Sequence, residues 1–518
     1  MRPWTRLAPR ALLLAVPAAL AVSPVYAHGF GERYSLPVPL EYYLAGAGAA
    51  VALSFALIGL FVGGTPGGGR QWRFNLLSVP RLGVFLQSRL LITPIKVAAV
   101  GLLTLVVTAG FLGDQDSGVN IAPTLVWIVW WVGLGFFVAL VGNVWPLINP
   151  WSITFGWAEG LLSRMRPGRE LDLRFEYPRG LGVWPAFGLF LGFAWLENSY
   201  PGASEPEIMA LAVVTYSLVT WVGMLMFGRH VWLRYGEAFS VVFGVLARFA
   251  PSELRTTSDR CMDCEADCGN AGDTCVNCCL CWERSPRAER ELNVRPYAAG
   301  LAVRERVTAD VMAMVLLLLA TVTFDGLSST PLWTEVRDSL FSTTSSMFGA
   351  NAVVAIDTMG LLLIPALFMV TYLVFSWVMA IASGGEAPAG EMALAFVFSL
   401  VPIALAYNIA HFFTLLVING QLIIPLASDP FGYGWDLLGT AGYVINPGVV
   451  TARATWLLSV GVIVAGHIIA VYVAHMIAIG TMKNRRSALR SQYPMMGLMV
   501  VYTMASLWII AQPIVEEV

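Results

Sequence analysis

Long apolar blocks separated by short polar gaps make up almost the whole of this chain. A helix needs ~20 residues to cross a hydrocarbon core of ~30 Å. Blocks near or above that length recur at 38–63, 92–113, 121–146, 180–197, 207–232, 308–325, 352–383, 391–418, 453–480 and 495–514. The pattern predicts an all-α integral membrane protein of about ten transmembrane helices. Ahead of the first block, Arg2, Arg6 and Arg10 precede an apolar run from Ala11 to Val22, and Val25-Tyr26-Ala27 offers the small residues that a signal peptidase accepts. Residues 1–27 therefore read as a signal peptide whose cleavage leaves His28 first. An uncleaved anchor is the alternative.

The polar gaps give orientation, because cytoplasmic loops carry the excess of Lys and Arg. Gap 64–91 holds Arg70, Arg73, Arg81 and Arg89, gap 147–179 holds five arginines, and gap 481–494 holds Lys483, Arg485, Arg486 and Arg490. The intervening gaps are acidic or neutral, as in GDQDSG at 113–118 and ENSYPGASEPE at 197–207. An even number of spans places both mature termini outside and the long, arginine-containing gap 233–307 in the cytoplasm. The chain then divides into a first five-helix half (28–235), a cytoplasmic linker (236–307) and a second five-helix half (308–518). Within the linker, Phe239, Val242, Phe243, Leu246 and Phe249 are spaced for an amphipathic helix over 236–251 lying at the membrane surface.

The two halves share a series of features in the same order. Phe61-x-Gly63 with Thr65-Pro66 and Trp72 is matched by Phe324-x-Gly326 with Thr330-Pro331 and Trp333; Pro146 to Pro150 by Pro425 to Pro430; Arg179 and Trp184 by Arg453 and Trp456; Tyr216 and Trp221 by Tyr502 and Trp508. Five being odd, the second half would enter from the opposite side, a 5+5 inverted repeat of the kind secondary transporters use around a midplane site. The paired proline-rich breaks are where interrupted helices are expected, with Asn143, Asn149, Asn419 and Gln421 as partners for the freed backbone.

Composition agrees: hydrophobic residues are 57% of the chain, charged residues only 12%, and there are 18 tryptophans, so the first partner is the lipid bilayer. A net charge of −2 with scattered arginines excludes nucleic acid as a partner.

All seven cysteines fall in one stretch, at Cys261, Cys264, Cys268, Cys275, Cys278, Cys279 and Cys281. In a reducing cytoplasm this density points to metal, not disulfides. Cys261-x2-Cys264 and Cys275-x2-Cys278 form two knuckles suited to tetrahedral zinc with no missing ligand. Cys275-x2-Cys278-x2-Cys281-x3-Ser285-Pro286 resembles the cysteine run of bacterial ferredoxins, with a serine in place of the fourth cysteine. That resemblance implies an iron-sulfur cluster borrowing Cys261, Cys264 or Cys268.

Polar residues inside apolar blocks are the second clue, since ionisable groups in hydrocarbon face a cavity or a partner. Tyr407, Asn408, His411 and Thr414 share one helix face, His467 and His475 lie two turns apart, and Asp325 and Asp357 sit near the outer ends of their spans. Asn408, His411, His467, His475, Asp325 and Asp357 are therefore read as an intramembrane polar site of the second half. The histidines can ligate a haem b, serve as stations for a proton or metal ion, or bond to neighbouring helices. His28, as a free N-terminus, offers two nitrogens to copper.

No phosphate-binding loop, zinc-protease helix or nucleophile elbow is present. The reading is a multi-pass protein of a bacterial-type inner membrane, a secondary transporter or carrier for a small molecule or ion, with a metal-binding regulatory loop. The alternative is a membrane oxidoreductase passing electrons from a redox partner between a cluster at the loop and haem or quinone in the membrane.

Overall fold

A computed structural model of the protein describes residues 34–62, 72–167, 171–178, 180–258, 261, 274–302 and 307–516. The signal peptide, His28, Cys264 and Cys268 lie outside the described residues. The helices, in chain order, are α1 (Leu40–Phe61), α2 (Arg89–Leu112), α3 (Ile121–Leu140), α4 (Pro150–Met165), α5 (Trp184–Ser199), α6 (Pro206–Phe227), α7 (Arg229–Tyr235) and α8 (Ala238–Leu246). Then follow α9 (Cys279–Arg284), α10 (Ala309–Ser328), α11 (Pro331–Phe348), α12 (Ala352–Ala382), α13 (Val401–Val417), α14 (Ala452–Thr481) and α15 (Arg485–Ile514). Nine stretches of the described chain are long and apolar enough to cross a membrane.

The expected fourth span is the exception. α5 has 16 residues, ~24 Å at 1.5 Å per residue and so short of the ~30 Å core. It packs between α8, α10 and α12. Parallel pairing of β1 (Tyr34–Ser35) with β6 (Val515–Glu516) puts the two described ends of the chain on one face.

Local chemistry sets the helix boundaries. Side chains of Ser88, Asn149, Thr330 and Thr451 accept backbone N–H bonds at the starts of α2, α4, α11 and α14. Gly228, at φ +86°, separates α6 from α7. Residues Thr124–Leu134 of α3 wind as a π-helix, which elsewhere is mostly limited to single turns near functional sites. Small residues let α14 lie close against its neighbours: Gly466, Ala470, Ala474 and Ala478 are all buried. A Cβ at Gly466 would overlap Ala406 and the Pro402 carbonyl of α13.

The halves of the sequence are not two separate bundles. α1 packs against α14 and α15, whereas α10, its counterpart in the expected repeat, packs against α12, α13 and α5. α2, α4 and α6 pack among themselves. α8 also differs from expectation. The spacing suits a surface helix, but Phe239, Val242 and Phe243 are buried in an aromatic cluster with Trp145, Trp151 and Phe190. Nearly every side chain of AFSVVFGVL is apolar, so the helix has no polar face to offer to water.

β2 (Phe74–Asn75), β5 (Arg290–Val294), β3 (Ser252–Thr257) and β4 (Thr274–Val276) form an antiparallel sheet in that order. Glu253 is buried at its centre, paired with Arg73 and Arg295.

Candidate functional site

The polar residues picked out in the second half do not form one site. Asp325, near the end of α10, meets His411 of α13 with Oδ2 and Nε2 2.9 Å apart. Asn408, one turn before His411, lines a cavity of about 40 Å³ together with Asp325 and Thr321 of α10. That volume holds a few water-sized species at ~10–15 Å³ each. The remaining polar lining comes from the first half: Glu197 and Asn198 of α5 and Trp131 of the π-wound α3. The Glu197 and Asp325 carboxyls are close enough to repel when both are charged. Trp131 reaches toward Glu197 without closing a hydrogen bond of normal geometry, and Asn198 Oδ1 has no partner among the described residues.

Asp357, His467 and His475 do not line that cavity. Asp357 accepts from Trp333 Nε1 at 2.9 Å and from Arg337 at 3.0 Å, tying α11 to α12. His475 bridges Gln492 of α15 at 3.2 Å and the Val62 carbonyl after α1 at 3.0 Å. His467 places Nδ1 2.8 Å from the Ile463 carbonyl and its ring 6.0 Å from that of Tyr502.

These residues do not fit a haem. Cofactor pockets run to ~300 Å³ or more, the cavity beside His411 holds about 40 Å³, and the Nε2 that would ligate iron faces Asp325.

Glu197 was missed because ENSYPGASEPE reads as an acidic loop. A carboxylate still attached to an aromatic-rich helix, WPAFGLFLGFAWLEN, was the available signal. Glu237 was missed too. It is fully buried and accepts from Trp145 Nε1, Asn149 Nδ2, the Tyr216 hydroxyl, the Ser240 hydroxyl and the backbone N–H groups of Phe239 and Ser240. Here the first proline-rich break, 146–150, meets the start of α8, and Asn149 serves it by accepting the Ser152 N–H at the start of α4 and donating to Glu237, not by bonding a freed carbonyl.

The cysteine centre lies beside the sheet. Thr256 of β3 stands opposite Cys275 of β4, and Cys261 follows β3 with its thiol turned to the Thr256 carbonyl at 3.4 Å. Asn277, at φ +52°, pairs with Leu254 through both backbone and side chain and turns the chain from β4 into α9. That turn folds Cys281 back, so the sulfurs of Cys261, Cys275 and Cys281 all lie within 4.8 Å of one another, with Cys275 and Cys281 3.3 Å apart. All three are buried and could hold a metal ion. The knuckle pairing expected Cys278 in place of Cys281. Cys278 instead forms the N-cap of α9, buried in the same cluster. Cys279 is half-buried, and desolvation with Cys278 and Glu283 beside it pushes its thiol up to about 12, which leaves it protonated.

α9 also borders an open cleft of about 1320 Å³ between α4 and α7. Across it Glu283 meets Arg229 at 3.0 Å and His230 at 3.5 Å, and Arg229 meets Glu159 of α4 at 3.3 Å. Burial, with Asp310 nearby, pushes the Tyr177 phenol in the cleft wall up to about 12.

No family model, curated protein or solved structure matches this chain.

Proposed function

We propose that this protein is a membrane carrier that moves a proton or a small cation through the site between α5, α10 and α13. The carrying observation is the cavity, which two carboxyls share inside an apolar helix bundle and whose described lining includes no Lys or Arg. Negative charge in such a place is costly unless a cation meets it. The cavity's volume restricts that cation to one of about the size of water. On the loop arginines, the face bearing the sheet is the cytoplasmic one of a bacterial-type inner membrane.

In this reading the cysteine centre binds one zinc-type ion. Zn–S bonds of ~2.3 Å in a tetrahedron put sulfurs ~3.8 Å apart, in keeping with three thiols within 4.8 Å of one another. A cubane cluster places each thiolate on a different iron and spreads them wider. Through Glu283, α9 extends the centre's hold to α7 and α4, which makes regulation from this centre mechanically direct. The grouping of Cys275 and Cys281 with Cys261 suits the ferredoxin-like run with its borrowed cysteine as well, and the close sulfur spacing is what favours one zinc-type ion over a cluster.

Flux tests the carrier. Proteoliposomes with an internal pH or cation dye should respond to an imposed gradient, and Asp325→Asn or Glu197→Gln should abolish the response. Wild-type rates in both variants would sink the assignment. For the centre, elemental analysis should find one zinc per chain, lost in Cys281→Ser and kept in Cys279→Ser. Iron with acid-labile sulfide is the contrary result.

A further inference from the structure

We propose that the cavity continues as a proton path from Asp325 through Tyr407 and Tyr502 to His467, with bound water bridging its gaps. This rests on the carrier reading and narrows the cargo from a small cation to the proton. It starts from two buried atoms. Tyr407 Oη and His467 Nε2 belong to fully buried side chains and have no hydrogen-bond partner among the described residues. An unsatisfied buried polar group costs ~1–3 kcal/mol, and folded proteins normally supply it with a partner, often water.

The two atoms lie at either end of a line of hydroxyl groups. Tyr407 stands one turn before His411, their rings stacked 6.1 Å apart. Its hydroxyl rests on Gly326, the neighbour of Asp325, at a point where any Cβ would overlap it. The absence of a side chain there lets a phenol approach the carboxyl pair. The Tyr407 and Tyr502 hydroxyls meet α10 one turn apart, at Gly326 and at Thr323. The Tyr502 hydroxyl in turn shares a 2.6 Å hydrogen bond with Thr323 Oγ1, and its ring lies 6.0 Å from His467. The titratable groups that act on this line come from three neighbouring helices: Glu197 of α5, His411 of α13 and Tyr502 of α15.

The chemistry suits a proton and not a metal cation. Each phenol can accept a hydrogen from one side and give its own to the other, so it carries no net charge, while Thr323, whose own hydrogen goes to the Leu319 carbonyl, holds the Tyr502 hydroxyl in place. At the far end, His467 directs Nδ1 at the Ile463 carbonyl. This assigns the ring hydrogen to Nδ1 and leaves the Nε2 lone pair to take the arriving proton. His475, two turns further along α14, is outside the line because both of its nitrogens are partnered.

The test is nitrogen-15 NMR of histidine-labelled full-length protein in lipid, titrated with pH. The His467 signal should shift with pH. That shift should vanish in Tyr407→Phe and in Asp325→Asn, with the His475 signal unmoved and serving as the check on folding. Tyr502→Phe, which removes one hydroxyl from the middle of the line, should abolish it as well. A His467 signal indifferent to all three substitutions overturns the path. A responsive His467 without ion flux in proteoliposomes upholds the path and removes the carrier reading. Flux with a silent His467 does the reverse.

Discussion

Glu237 and the Asp325–Glu197 pair both lie within this helix bundle, the first fully buried and the second half-buried, and they differ in how their oxygens are satisfied. Six hydrogen bonds converge on Glu237, from four side chains and two backbone N–H groups at the start of α8. Asp325 is met by His411, and it faces a cavity with a second carboxyl, Glu197, on the opposite wall. Charge in a low-dielectric interior is tolerable when donors surround it and a liability when they do not. Glu237 therefore reads as architecture that holds the proline-rich break of 143–150 against α8. The Asp325 and Glu197 pair reads as a place kept for something that arrives and leaves.

The largest effect should come from dismantling the satisfied site. Glu237→Ala leaves Trp145, Asn149 and Tyr216 with unmatched buried donors, and at ~1 kcal/mol or more each the loss should be at least ~3 kcal/mol. Thermal unfolding in detergent should show it, along with a lower yield of folded protein; an unchanged midpoint would erase the contrast between the two sites. Asp357→Ala should follow at ~2 kcal/mol, because it strands Trp333 Nε1 and frees a partly exposed Arg337. Glu197→Gln should change stability by less than ~1 kcal/mol while abolishing flux, since no set of donors is left behind. A destabilisation as large as that of Glu237→Ala would make the cavity structural after all.

The smallest effect lies at the surface. Ser487, the Lys483 N–H and Asn484 donate to Glu386 and hold its carboxyl below the ordinary value of 4.5. A depressed carboxyl contributes stability above its unfolded value and loses it as pH falls through the lower folded one. The clasp between the loop after α12 and the start of α15 should therefore open only in acid below about pH 4.5. Glu386→Gln should remove that acid sensitivity by lowering the midpoint at neutral pH slightly, to where acid brings the wild type.

The helices were legible in the sequence because hydropathy reports burial in lipid and in protein alike. That same property hid α8, whose apolar run fits a membrane surface as well as a protein core. Helical spacing put Asn408 and His411 on one face, and the structure places both beside Asp325. Spacing could not say that His475 answers to Gln492 and the Val62 carbonyl, or Asp357 to Arg337, because such partners come from other helices. The cysteine knuckles suggested a pairing by interval. The left-handed turn at Asn277, which brings Cys281 in beside Cys261 and Cys275, has no signature in interval counting. Glu197 lay at the ragged end of an apolar block, where span and loop cannot be separated by hydropathy alone.

The contrast between the two carboxylate sites can be read in one infrared difference spectrum, recorded on a pH step across reconstituted protein. Carboxyl bands should appear in the wild type and disappear in Asp325→Asn and Glu197→Gln. The same bands persisting in both variants would contradict the contrast.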